Sequence, residues 1–342
     1  INLIGRRTGG RLDWEHPSHS WLDIWGQWDT GWYLDIAKNW YAAEAHYQNF
    51  CNYAFFPLYP TLIKLLGAVT GNHFYAGLII SNVSLLGAAI LLYRLAGLDH
   101  DQEVALRSVK YMFIWPTSFI LSGVLSEALF LMLVICCFSY ARRGSWLKAG
   151  TAGFFLSLTR VPGVYVAIPL LYEYMKAKGF RLKSIRIDIL ALALLPLGLL
   201  VFCLYNYYLT GDFLAFVHIQ QSGWGHDFGN PLKTLVQGMF MSAGRSRVVV
   251  AAWFTGFTLA LLAVFYRRIP HSHLLFCFIS LFLPLVKGLG SMLRYTVVLF
   301  PVFILLAQLG KDRKVDAVLT IILCVLMGCF MIFWSVGDTL II

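Results

Sequence analysis

Several uninterrupted apolar runs, each about 18–24 residues long, limit what this chain can become. They fall near residues 74–97, 105–122, 125–141, 188–209, 248–266, 273–287, 292–309 and 315–336. With 59% of its 342 residues hydrophobic and only 13% charged, the chain has too little polar surface to clothe a soluble core. Lipid is therefore its main solvent. A segment crossing lipid must satisfy its own backbone hydrogen bonds, which leaves helices or a closed barrel. Continuous runs, rather than alternating ten-residue segments, select helices. The expectation is an all-α polytopic membrane protein.

Charge orients it. The formal net charge is +10, but the basic residues sit in short loops between apolar runs and give no nucleic-acid footprint. Four clusters stand out: Arg142, Arg143 and Lys148; Lys176, Lys178, Arg181, Lys183 and Arg186; Arg267 and Arg268; Lys311, Arg313 and Lys314. Alternating spans place all four on one side, taken as the cytoplasm. Residues 5–52, the turn at 122–127, the loop 210–247 and the turn 287–294 then share the other side. This alternation holds only if residues 55–70 do not cross, so they are expected to form an interfacial helix. The chain divides into an extracytoplasmic first loop with interfacial helices, 1–73, and a multi-span domain, 74–342, with an outer loop near 210–247. The stub Ile1–Ile4, followed by Arg6 and Arg7, reads as the end of a preceding span.

The unusual polar residues gather on the outer side. Read as a helix, residues 29–41 put Trp32, Tyr33, Ile36 and Trp40 on one face with Asp29 among them, while Asp35 points elsewhere and reads as a solvated charge. Asp29 is either an N-cap or a carboxylate held at the lipid boundary beside aromatics able to stack on a sugar. Glu127 is either a cap for the helix that follows it or a functional acid. Arg160 lies in an apolar stretch broken by Val161-Pro162-Gly163, where two half-length helices should meet. A buried guanidinium there needs an anion, either a lipid phosphate or a structural partner such as Glu127. Lys287 and Arg294 flank a glycine-rich turn on the side where positive charge is disfavoured. Gln220, Trp224 and His226 supply an amide, an aromatic ring and an imidazole. Asp99-His100-Asp101 has metal-motif spacing but lies on the basic side, and reads as helix capping.

The order of these motifs resembles the GPI second-mannose transferase family and its short prokaryotic relatives. The likeness is carried by Trp28-Asp29 with Tyr33, Ile36 and Ala37, by Phe55-Phe56-Pro57-Leu58-Tyr59-Pro60, and by Ser126-Glu127-Ala128-Leu129-Phe130. Further along come Leu158-Thr159-Arg160-Val161-Pro162-Gly163, Thr210-Gly211-Asp212, Gln220 through Trp224-Gly225, and Arg294-Tyr295 with Phe300-Pro301. Phe213 and His226 depart from it, standing where proline and arginine are expected. The resemblance implies a GT-C membrane glycosyltransferase of a prokaryotic plasma membrane, with its active site on the extracytoplasmic face. Its donor would be a polyprenyl-phosphate sugar, by resemblance mannose. Its acceptor would be a hydroxyl of a glycolipid, glycan or protein. Asp29 would be the catalytic base, and Arg160 and Arg294 would bind the donor phosphate. Trp32, Tyr33, Tyr59, Glu127, Gln220, Trp224 and His226 would contact sugar or acceptor. No metal or cofactor is expected. Two other readings stay open from the residues alone: a lipid or sugar transporter without chemistry, and a structural membrane subunit.

Overall fold

The computed structural model describes residues 22–43, 50–224, 229–241, 246–338 and 340, without the side chains of Asp23 and Trp224. The N-terminal stub and His226 lie outside these. Among the described residues the chain is helical, with no β-strand. The helices are α1 (Thr30–Asn39), α2 (Leu58–Thr70), α3 (His73–Ala96), α4 (Gln102–Ile114), α5 (Glu127–Arg142) and α6 (Trp146–Ser157). They continue as α7 (Pro162–Tyr165), α8 (Ala167–Ala177), α9 (Leu194–Thr210), α10 (Ala215–Trp224) and α11 (Pro231–Met239). The last five are α12 (Ser246–Val264), α13 (His271–Lys287), α14 (Met292–Thr296), α15 (Phe300–Leu309) and α16 (Arg313–Ser335).

Four segments are long and apolar enough to cross a membrane: His73–Ala96, Ile187–Thr210, Ser246–Val264 and Arg313–Ser335. Their outward faces leave Val83, Leu86, Leu204, Phe257, Ile321 and Val325 exposed, as expected of side chains that meet lipid. At 13 residues, α2 is about 20 Å long, short of a hydrocarbon core about 30 Å thick.

Two expected spans are broken. The run 105–122 is α4, ending at Ile114, followed by a 3-10 turn over Ser118–Ser122. Pro116 cannot continue a helix and forces Trp115 out of helical geometry. The run 292–309 divides into α14 and α15, with Pro301 in the first turn of α15. The two breaks bond to each other: Thr117 Oγ1 donates to Leu293 O at 3.2 Å, and Trp115 Nε1 donates to Thr296 Oγ1 at 3.3 Å. Together they carry Arg294 into the interior.

The expected break at Arg160 is present, since α6 stops at Ser157 and α7 begins at Pro162. Proline has no N–H to give the carbonyl four residues back, so Leu158 O is left free. It accepts instead from Leu58 N at 2.9 Å, which ties the start of α2 to the break. Gly163 sits so close to α6 that a Cβ there would lie 2.4 Å from Leu156 O.

The basic clusters converge on one end. Arg142 forms a bidentate pair with Asp99, Lys311 bonds Asp101 at 2.8 Å, and Gln308 bridges His100 and the Arg268 carbonyl. Ser272 bonds Glu173, bringing the 176–186 cluster to the same end. Asp101 caps α4 by accepting from Val104 N at 2.9 Å, and Lys311 beside it holds its carboxyl below the usual range. At the opposite end, α1 and α2 share an apolar core with the bundle, built from Tyr33, Tyr59, Ile63, Phe74, Phe119, Leu129 and Trp334.

Candidate active site

Glu127 starts α5 and Lys287 ends α13, each at the helix end away from its basic cluster. At this end a cavity of about 420 Å³ opens between α1, the 54–56 segment, the Arg160 break, α10, α12 and the 287–295 turn. Its wall includes Asp29, Tyr33, Phe55, Arg160, Gln220, Arg247, Lys287, Arg294 and Tyr295. The turn needs unusual backbone. Gly288 has φ +129° with ψ −169°, a region essentially reserved for glycine, and Ser291 has φ +62°.

Four charged side chains form one network, which includes the Arg160–Glu127 pair that the sequence offers as one alternative. Arg294 Nη1 donates to Asp29 Oδ2 at 2.6 Å, and Arg294 Nε donates to Glu127 Oε1 at 2.8 Å. Arg160 Nη1 donates to the same Glu127 oxygen at 2.5 Å. The Arg160 guanidinium also lies 5.4 Å from the centre of the Tyr295 ring, within cation–π range. Burial grades the members: the Glu127 side chain is 0% exposed, Arg294 3%, Arg160 17% and Asp29 28%. Two buried atoms of this network remain without a hydrogen-bond partner among the described residues. Glu127 Oε2 has no hydrogen-bond partner, and Arg294 Nη2 lies 2.6 Å from Glu127 Oε1 without hydrogen-bond alignment.

These contacts settle several alternatives. Asp29 immediately precedes α1, but its carboxylate makes no cap bond. Only Oδ2 is engaged by Arg294; Oδ1 has no hydrogen-bond partner among the described residues, and Asp29 lines the cavity. Glu127 does not cap α5 either, nor does it line the cavity; it sits behind the wall and holds two arginines. Arg294 lines the cavity and donates to the two carboxylates through Nε and Nη1. Arg160 lines the cavity and spends one nitrogen on Glu127, while its other nitrogens have no hydrogen-bond partner among the described residues.

The aromatic residues expected to contact sugar or acceptor fall in different places. Tyr33 lines the cavity and its hydroxyl bonds Ser126 Oγ at 2.8 Å, joining α1 to the start of α5. Tyr59 does not line it. Its side chain is completely buried and its hydroxyl bonds Ser81 Oγ at 2.7 Å, so it packs α2 against α3. Trp32 stacks on Phe55 at 5.5 Å and supports that cavity residue from behind. Helix α1 is set against protein on much of its surface, with Thr30, Tyr33, Leu34, Ile36 and Ala37 buried. Asp35 is not a solvated charge. It accepts from Asn39 at 2.9 Å and from the fully buried Asn52 at 2.9 Å, stitching α1 to the 50–56 segment.

Gln220 does line the cavity and accepts from Lys287 Nζ at 2.8 Å. Trp224 closes α10, and the site assigned to His226 lies outside the described residues. The Thr210-Gly211-Asp212 motif builds a turn. Gly211 takes φ +76°, and Asp212 accepts from Leu214 N and from His218, whose nearby imidazole holds its carboxyl below the usual range. Sequence reading missed Arg247 and Tyr295 as cavity residues. A signal existed for Arg247, a cation on the side where positive charge is disfavoured. No cluster of metal-ligating residues occurs among the described residues.

No family model and no curated protein matches the sequence. Among solved structures, the chain is similar to the Archaeoglobus fulgidus oligosaccharyltransferase, crystallised tethered to an acceptor peptide containing the NVT sequon. Identity is 12% and the TM-score 0.44, over 94% of this chain and 50% of that one. The chain thus spans half the length of that enzyme, and a likeness this slight assigns no function.

Proposed function

We propose that the protein is a membrane glycosyltransferase of GT-C type. In this reading it moves a sugar, by resemblance mannose, from a polyprenyl-phosphate donor to a hydroxyl acceptor on the extracytoplasmic face, with inversion. One observation carries the proposal. A cavity at the end of the bundle opposite the basic loops holds a fixed carboxylate with one open oxygen, and beside it an arginine with open donors.

The chemistry comes from those two groups. Asp29 Oδ1 takes the proton from the acceptor hydroxyl as its oxygen attacks the anomeric carbon. The bond from that carbon to the phosphate oxygen breaks on the opposite face, and polyprenyl phosphate departs. Arg160 neutralises the charge growing on the leaving phosphate, because its planar fork matches phosphate oxygens. Arg294 is a positioning residue, aiming Asp29 through the bond at Oδ2. Its contribution is to orient the base toward the acceptor proton.

The test uses purified protein in detergent or nanodiscs with polyprenyl-phosphate mannose and a hydroxyl-bearing glycolipid. Wild type should yield a sugar–acceptor product with the anomeric configuration inverted. Asp29→Asn should lower transfer by roughly 10²–10⁴-fold. Arg160→Ala should weaken donor binding by about tenfold or more. An Asp29→Asn protein that transfers at the wild-type rate under saturating substrates would remove Asp29 as the base.

A further inference from the structure

The cavity holds more positive charge than this reaction uses. Its wall carries Arg160, Arg247, Lys287 and Arg294 against the single carboxylate of Asp29. Arg294 is committed to Asp29 and Glu127, and Arg160 is assigned to the leaving phosphate. Lys287 and Arg247 remain, and neither has a carboxylate partner among the described residues.

Their positions need an explanation. Both lie at the end of the bundle away from the basic loops, against the charge bias of helical membrane proteins. Arg247 is the second residue of α12, where the helix dipole disfavours a cation. Lys287 closes α13, where the dipole welcomes one, and a snorkelling role would account for it alone. That role does not account for its direction. The ammonium is turned to the cavity wall and donates to the neutral amide of Gln220, which spends one of its three protons. The Gln220 amide nitrogen has no partner among the described residues and adds a neutral donor. Three elements therefore bring open donors and two uncompensated charges to one cavity, beside an α12 N-terminus that itself favours negative charge.

We propose that Lys287, Arg247 and Gln220 form a second anion subsite, which binds a phosphate group other than the one leaving with the donor lipid. The proposal rests on the glycosyltransferase reading for the role of Arg160, but its own ligand is independent of turnover. That phosphate has two possible sources, the headgroup of an anionic acceptor lipid or the second phosphate of a diphosphate-linked donor.

Binding measurements separate these sources. Purified protein in phosphatidylcholine nanodiscs is titrated with polyprenyl monophosphate, polyprenyl diphosphate and short-chain phosphatidylglycerol. Lys287→Gln and Arg247→Gln should each weaken binding of one of the last two probes by about tenfold, the loss of one charge-assisted contact. Monophosphate binding should stay within about twofold, and Lys287→Arg should restore most of the loss. A loss confined to the diphosphate assigns the subsite to the donor; a loss confined to phosphatidylglycerol assigns it to the acceptor. Unchanged affinity for both in the double variant overturns the proposal. If monophosphate fails to bind wild type at all, the glycosyltransferase reading fails instead, and the other two titrations still decide the subsite.

Discussion

Glu127→Gln and Asp29→Asn each remove one negative charge from the same network, yet their consequences should diverge. In the native protein, Arg160 and Arg294 face Glu127 and Asp29. Glu127 is wholly buried and its Oε1 serves both arginines, so glutamine leaves two guanidiniums opposite one carboxylate with little water to compensate. Breaking a buried pair from one side costs about 3–5 kcal/mol. Asp29 is 28% exposed, and asparagine still offers an oxygen to Arg294 Nη1, so about 1 kcal/mol is the expected cost. In detergent, the intrinsic tryptophan fluorescence melt of Glu127→Gln should therefore fall several-fold further below wild type than that of Asp29→Asn. Activity should rank differently at a temperature where both are folded, with Asp29→Asn losing roughly 10²–10⁴-fold. Adding Arg294→Met to Glu127→Gln should recover part of the lost stability, because an apolar replacement removes the uncompensated cation. Equal melting shifts for the two single variants would refute the reasoning from burial. A Glu127→Gln protein that melts with wild type would refute the network itself.

Asp35→Ala leaves a buried Asn52 amide proton without its acceptor, so the melting transition should fall by the equivalent of about 1–3 kcal/mol while transfer at low temperature is retained. An equally stable variant would show that water or another group replaces the carboxylate. Gly163→Ala pushes a methyl to within 2.4 Å of the Leu156 carbonyl, so the Arg160 break must shift; donor binding should weaken, as measured by titration with polyprenyl monophosphate. Cysteines placed at Gly71 or Asn72 should react with impermeant maleimide from the extracytoplasmic side, and labelling only from the cytoplasm would invert the proposed topology.

What the sequence made legible, and what it hid, depends on the range of the physics involved. Charge bias acts on each loop separately, so the four basic clusters were readable without a structure, and the bonds joining Asp99, Asp101, His100 and Glu173 to those loops place them together. Local backbone chemistry is equally direct, as the break before Pro162 shows. The same chemistry was present at Pro116 and Pro301, but a long apolar window averages over a single proline, and two broken segments were read as spans. Asp29, Glu127, Arg160 and Arg294 each stood out, because a charge in apolar surroundings needs a partner. Glu127 could be named as a partner for Arg160, 33 positions away, but the bonds of Arg294 to Glu127 and Asp29, across 167 and 265 positions, were not legible. Helical periodicity failed in a specific way at α1. It identifies an apolar face but not whether lipid or protein covers it. The Tyr33 side of α1 packs against α2 and α3, Tyr59 belongs to that packing, and Asp35 lies against a second segment of the first loop rather than water. Tight packing of α1 into the bundle is also what lets a residue at its start act as a fixed carboxylate. Asp29 is held by a helix buried on most of its circumference and by an arginine that two helix breaks carry into the core. A freely floating surface helix would leave that carboxylate loosely placed.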